Sequence, residues 1–91
     1  GGRVLAGAID RLIVGSESVL AIDFKSNALV PTSAESVPEG LKRQMGAYAR
    51  ALSLIYPDRR IDTAILWTRG PVLMPMPHDM VRHAWERRAT T

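Results

Sequence analysis

The chain opens on two runs whose apolar residues alternate with the period of a β-strand. Between Val4 and Ile13, one side carries Val4, Ala6, Ala8, Asp10 and Leu12, the other Leu5, Gly7, Ile9, Arg11 and Ile13. Between Val19 and Lys25, Val19, Ala21, Asp23 and Lys25 share a side, with Leu20, Ile22 and Phe24 opposite. Gly15-Ser16-Glu17-Ser18 is turn-like, which predicts an antiparallel hairpin that sets Asp10 beside Asp23. The polar stretch 27–40, with Pro31, Thr32, Ser33, Ser36 and Pro38, reads as a loop. Ser36-x-x-Glu39 then has the form of a capping box, with Pro38 near the first turn. From there Leu41, Met45, Tyr48, Leu52 and Ile55 recur at spacings of four and three. This predicts an amphipathic helix that ends at about Ile55 or Tyr56, where Pro57-Asp58 stops it.

Ile61 to Thr68 alternates again, Ile61, Thr63, Ile65 and Trp67 against Asp62, Ala64 and Leu66, and is rich in β-formers. Arg69-Gly70-Pro71 turns the chain into a short strand, Val72 to Met76, whose Pro75 and following Pro77 place it at a sheet edge. His78 to Ala89 is expected to be a helix with Met80, Val81, Ala84 and Trp85 as its apolar side. The strand, helix, strand order over residues 19–67 is a crossover, which demands parallel pairing of its strands. Hairpin plus crossover predicts an α/β fold with a mixed sheet.

Composition narrows this picture. The chain of 91 residues, 46% hydrophobic with few aromatics, suits one small domain or part of one, with a modest core. It begins Gly1-Gly2-Arg3, without an initiator methionine or visible leader, and enters a strand almost at once, which suggests a piece of something longer. The absence of cysteine excludes disulfides, zinc–thiolate sites and iron–sulfur clusters, and fits a cytoplasmic setting. No apolar run approaches the ~20 residues that span a bilayer, so no membrane role is expected. A net charge of +3 suits phosphate contacts without demanding them, and the basic residues are spread along the chain as solvated surface.

The chemistry lies where the alternation is interrupted. Asp10 and Asp23 each place a carboxylate on a face that otherwise reads as core, and buried charges are costly unless paired or bound to metal. Lys25, two residues after Asp23, projects from the same face roughly 6.6 Å along the strand. Taken singly, Asp10 beside Arg11 reads as a structural ion pair, Asp23-x-Lys25 as a chance pattern, Tyr48 as a core aromatic and Gln44 as a surface residue. Together, on adjacent strands, two carboxylates repel, and a hard dication that takes oxygen ligands is their natural neutraliser. His78 and His83, five apart, share no helix face and read as rim residues. Trp67, Trp85, Met74 and Met76 read as packing.

Three motifs in order resemble the nuclease domain of the RecB family within the PD-(D/E)XK superfamily, and within it the C-terminal end of AddA-type helicase/nuclease subunits. They are Gly7-Ala8-Ile9-Asp10-Arg11-Leu12, Asp23-Phe24-Lys25-Ser26 and Gln44-Met45-Gly46-Ala47-Tyr48, and Ile65-Leu66-Trp67-Thr68 is similar to the AddA-type ending. The resemblance implies a restriction-endonuclease-like mixed sheet flanked by helices, with the family's N-terminal helix, which supplies a histidine or glutamate to the metal, missing from this chain. It implies that Asp10, Asp23 and the Phe24 backbone carbonyl ligate Mg²⁺, with Mn²⁺ as a substitute, and that Lys25 is the catalytic lysine. Gln44 and Tyr48 would line the site and position the DNA strand or the lysine, with Arg11 a further DNA contact. The implied activity is metal-dependent cleavage of DNA, a single strand fed to the site by a helicase region that alone uses ATP, during processing of double-strand breaks. An AddB-like second subunit is the implied partner. The alternative is a nuclease-fold module without turnover that holds DNA or docks a subunit.

Overall fold

The expected hairpin forms, and it is the first half of the sheet. The computed structural model describes residues 9–87; the Val4–Ala8 part of the first alternating run and the end of the last predicted helix, at Ala89, lie outside the described residues. Strand β1 (Arg11–Val14) pairs antiparallel with β2 (Ser18–Lys25), Arg11 opposite Ile22 and Val14 opposite Val19. Helix α1 (Glu39–Ile55) crosses over to β3 (Arg60–Trp67), which lies parallel to β2 with Asp23 beside Ile65 and Lys25 beside Trp67. Strand β4 (Val72–Met76) pairs antiparallel with β3, and helix α2 (His78–Arg87) follows. The order β1-β2-β3-β4 makes a mixed four-stranded sheet with β4 at an edge, where Pro75 costs no ladder bond.

Cross-strand partners share a face, so Val19, Ala21, Asp23 and Lys25 line up with Ile61, Thr63, Ile65 and Trp67. Both helices cover that face. Met45, Tyr48 and Val81 pack there on Ile65, Trp67 and Met76, while Ala49 and Leu52 pack on Val19, Ala21 and Ile61. Val37, from the connection between β2 and α1, closes the first cluster at one end. Trp67, Met45, Leu52, Ile65, Val19 and Val81 are the largest fully buried side chains. Each contributes about 1.5–3 kcal/mol of burial energy. Among the described residues no helix covers the opposite face, where Ile13, Phe24 and Leu73 stay 52%, 39% and 51% exposed.

Two glycine and cap details depart from the sequence expectation or go beyond it. Ser36 does not cap α1: it closes a 3₁₀ turn, Ala34–Ser36, with its Oγ 3.3 Å from that of Ser33. Pro38 is the cap residue and Glu39 the first of the helix, so Glu39 stands too early to reach back as a capping box requires. Its carboxylate accepts instead from Arg87 at 2.8 Å, tying the start of α1 to the end of α2. Gly46, inside the third motif, permits the helices to touch: a Cβ there would collide with the Val81 carbonyl oxygen and the Trp85 Cβ.

Candidate active site

The end of β2 carries most of the chemistry. By extension of the β1–β2 register Asp10 falls opposite Asp23, one residue before β1 begins. The Phe24 backbone N–H donates to Asp10 Oδ2 at 2.8 Å, so a side chain takes the place of a ladder bond and fixes the carboxylate beside the strand. A residue's N–H and C=O leave a strand on the same edge, so the Phe24 carbonyl also faces the Asp10 side. Asp23 is 4% exposed, its Oδ2 buried without a hydrogen-bond partner. That oxygen lies 3.2 Å from Lys25 Nζ, close enough for an ion pair but without hydrogen-bond alignment. Burial pushes the Asp23 carboxyl above its usual range; the Lys25 charge opposes this, and the Asp10 carboxylate adds to it.

Lys25 is held from behind. Its carbonyl oxygen accepts the Thr68 backbone N–H at 2.8 Å and the Thr68 hydroxyl at 3.2 Å, a clamp between the ends of β2 and β3. Its own side chain is a third exposed, so the ammonium meets both Asp23 and solvent.

Helix α1 brings the third motif over this end of the sheet. Gln44 Nε2 donates to the Tyr48 hydroxyl at 2.6 Å, one helical turn away. Tyr48 is 4% exposed. Burial raises its phenol above the ordinary tyrosine range, the Asp23 and Asp10 charges add to the rise, and the Gln44 bond pulls the other way. The phenol is therefore neutral and within electrostatic reach of both acids.

The structure thus brings Asp10, Asp23, Lys25, Gln44 and Tyr48 together. Arg11 is not brought in: opposite Ile22, it leaves the sheet on the other face from Asp10 and Asp23. His78 and His83 are exposed, and among the described residues no group of three or more His, Asp or Glu side chains is arranged to hold a metal. Sequence reasoning missed Thr68 and Gly46. Thr68 could have been found as the hydroxyl residue directly after a strand that must pair with the lysine strand, whereas Gly46 carried no signal until a second helix was known to cross there.

Two features distinguish this cluster from an ordinary ion pair. One is the buried, unsatisfied Asp23 Oδ2, and the other is the second carboxylate held next to it. The family model described as PD-(D/E)XK nuclease superfamily matches residues 1–86. No curated protein and no solved structure matches the chain.

Proposed function

Because the chain belongs to the PD-(D/E)XK nuclease superfamily, and its mixed sheet with two helices is consistent with a restriction-endonuclease-like fold, we propose that it hydrolyses DNA phosphodiester bonds at Asp10, Asp23 and Lys25. The observation that carries this reading is the buried Asp23 Oδ2 without a hydrogen-bond partner, next to a second carboxylate and 3.2 Å from an ammonium. A carboxylate whose proton affinity is raised by burial, with a second carboxylate beside it, fits a hard, oxygen-seeking dication. Mg²⁺, or Mn²⁺ in its place, would be held by Asp10, Asp23 and the Phe24 carbonyl. When bound it supplies positive charge at the phosphate and a water of lowered pKa.

The chain's own groups do the rest. Lys25 donates to the attacking water and to the phosphate oxygens, orienting the one and offsetting charge on the other. Asp23 holds the ammonium at the site, and Thr68 holds the Lys25 backbone. Tyr48, neutral and oriented by Gln44, donates to a strand phosphate or keeps the lysine in place. None of these contacts reads a base, so no sequence specificity is expected.

The finer reading places the chain in the RecB branch, as the partial, C-terminal core of an AddA-type nuclease domain. On this reading an upstream helix supplies a further metal ligand, a helicase motor that uses ATP delivers a single strand, and an AddB-like subunit is the partner. The setting is exonucleolytic processing of double-strand breaks for recombination repair, in the cytoplasm. The order of the three motifs supports it.

The test is cleavage of an end-labelled single-stranded oligonucleotide in Mg²⁺, with Asp23→Ala and Lys25→Ala alongside. Each variant should lose about 100-fold or more in rate, the size expected for removing a group that stabilises the transition state. Cutting at the parental rate by both variants would overturn the assignment.

A further inference from the structure

A cleft lies across α1 from the acids. At ~100° per residue Gln44 and Ser53 point in opposite directions from the helix axis. Ser53 lines a cleft of about 510 Å³ between α1 and α2, together with Arg50, Arg82 and Glu86. A further cleft of about 450 Å³, lined by Arg59 and Arg60, shares Ser53 and His78 with the first, so the two adjoin and together form a channel along this side of α1.

The charges in this channel are unevenly engaged. Arg60 pairs with Asp62 at 2.9 Å and Arg82 with Asp79 at 3.2 Å, both exposed pairs that hold weakly. Arg50 has no ion pair among the described residues. Arg59 lies over the Tyr56 ring, 5.1 Å from its centroid, and its Nε is buried without a hydrogen-bond partner. Arg59 nevertheless borders the second cleft and has no ion pair among the described residues, so its charge is free to meet an anion there. Glu86 is the one unpaired acid among the described residues that line the channel.

We propose that this channel binds the sugar–phosphate backbone of a nucleic-acid strand, separately from the acidic site. Arg50 in one cleft and Arg59 in the other take phosphates of one strand, with His78 between them, while the Ser53 hydroxyl donates to the Arg50 carbonyl at 2.7 Å and holds the wall of the cleft. Cations in two adjoining clefts suit a repeating polyanion better than a single ion. The choice of nucleic acid as that polyanion rests on the nuclease reading; the anion chemistry does not. For such an enzyme the channel would hold a strand that the acidic site is not cutting.

The experiment is fluorescence anisotropy of a labelled 20-nucleotide oligo-dT in EDTA, which removes turnover. The double variant Arg50→Ala, Arg59→Ala should bind about tenfold more weakly, with the slope of log K against log salt reduced by about 1.4, two phosphates at ~0.7 each. Glu86→Gln should bind more tightly, a gain that misfolding does not produce. Inorganic phosphate at matched ionic strength should displace no more strand than chloride does. Unchanged affinity and slope in the double variant, or no gain from Glu86→Gln, overturns the proposal. Displacement by millimolar phosphate overturns it too, since the channel would then be a free-anion site. Cleavage in Mg²⁺ with Asp23→Ala reads the acidic site, and strand binding in EDTA with the arginine pair reads the channel, so failure of the one and failure of the other are distinguishable.

Discussion

Replacing Asp23 by asparagine should make the protein more stable while destroying its activity. The carboxylate is 5% exposed along its side chain, its Oδ2 lacks a hydrogen bond, and Asp10 stands beside it. Exchanging that oxygen for an amide nitrogen, which donates to the Asp10 carboxylate beside it and carries no charge, is worth about 1–3 kcal/mol. Losing the ion pair to a lysine whose side chain is 34% exposed costs at most about 1 kcal/mol. The net gain of about 1–2 kcal/mol should raise the melting temperature in EDTA by roughly 5–10 °C in a domain of this size. Burial raises the Asp23 carboxyl, so the folded state keeps that proton to higher pH than the unfolded chain does. Its contribution to stability is therefore fullest below the ordinary value of 3.8 and is lost as pH climbs through the raised one. The variant lacks this loss, and its advantage should grow from acid to neutral pH. Mg²⁺ at ten times its Kd should return about 1.4 kcal/mol to the parent alone. Circular-dichroism melts across pH, in EDTA and in Mg²⁺, measure all three effects. A variant that melts below the parent at pH 7 in EDTA, or a gap that does not shrink on acidification, would refute the reasoning.

Other expectations follow from named contacts. Gly46→Ala should lower stability by about 1–2 kcal/mol despite its better helix propensity, because the new methyl meets the Val81 backbone; a higher melting temperature would show that the helices are not so close. Tyr48→Phe should slow cleavage about fivefold, the worth of one hydrogen bond, and the parent's rate should show no downward limb from this phenol below pH 10, since burial raises it. Thr68→Val removes the hydroxyl half of the clamp on the Lys25 carbonyl and should lower kcat more than it raises KM; equal kcat in the two proteins would make Thr68 a bystander.

The sheet and its crossover were legible because strand alternation and the α1 stripe are strong signals over eight or more residues. The acidic pair was legible for the same reason, since Asp10 and Asp23 break an otherwise regular pattern. The start of α1 was misread because Ser36 and Glu39 have the right spacing, whereas Pro38, with its fixed φ, sets the helix entry two residues later than a capping box needs. The helix-to-helix contact at Gly46 depends on two segments thirty-five residues apart, Gly46 and Val81, and no local period reports it. Arg11 illustrates the converse: its place beside Asp10 in sequence suggested a shared role, and the same alternation that exposes Asp10 to the site sends Arg11 to the other side of the sheet.

The short turn joining β1 to β2, in which the Gly15 N–H bonds the Ser18 carbonyl at 2.8 Å, also acts as a ruler for the acids. Side chains repeat their face every two residues, so a two-residue slip of one strand leaves every side chain on its original face of the sheet. It nevertheless carries Asp10 roughly 6.6 Å away from Asp23 and releases its carboxylate from the Phe24 amide. The hydrophobic pattern tolerates that mistake; only the length of the loop forbids it. Lengthening the turn by two residues should therefore yield a folded protein with native secondary structure and a dismantled acidic pair, so that catalytic competence here is a matter of loop arithmetic as much as of which residues are present.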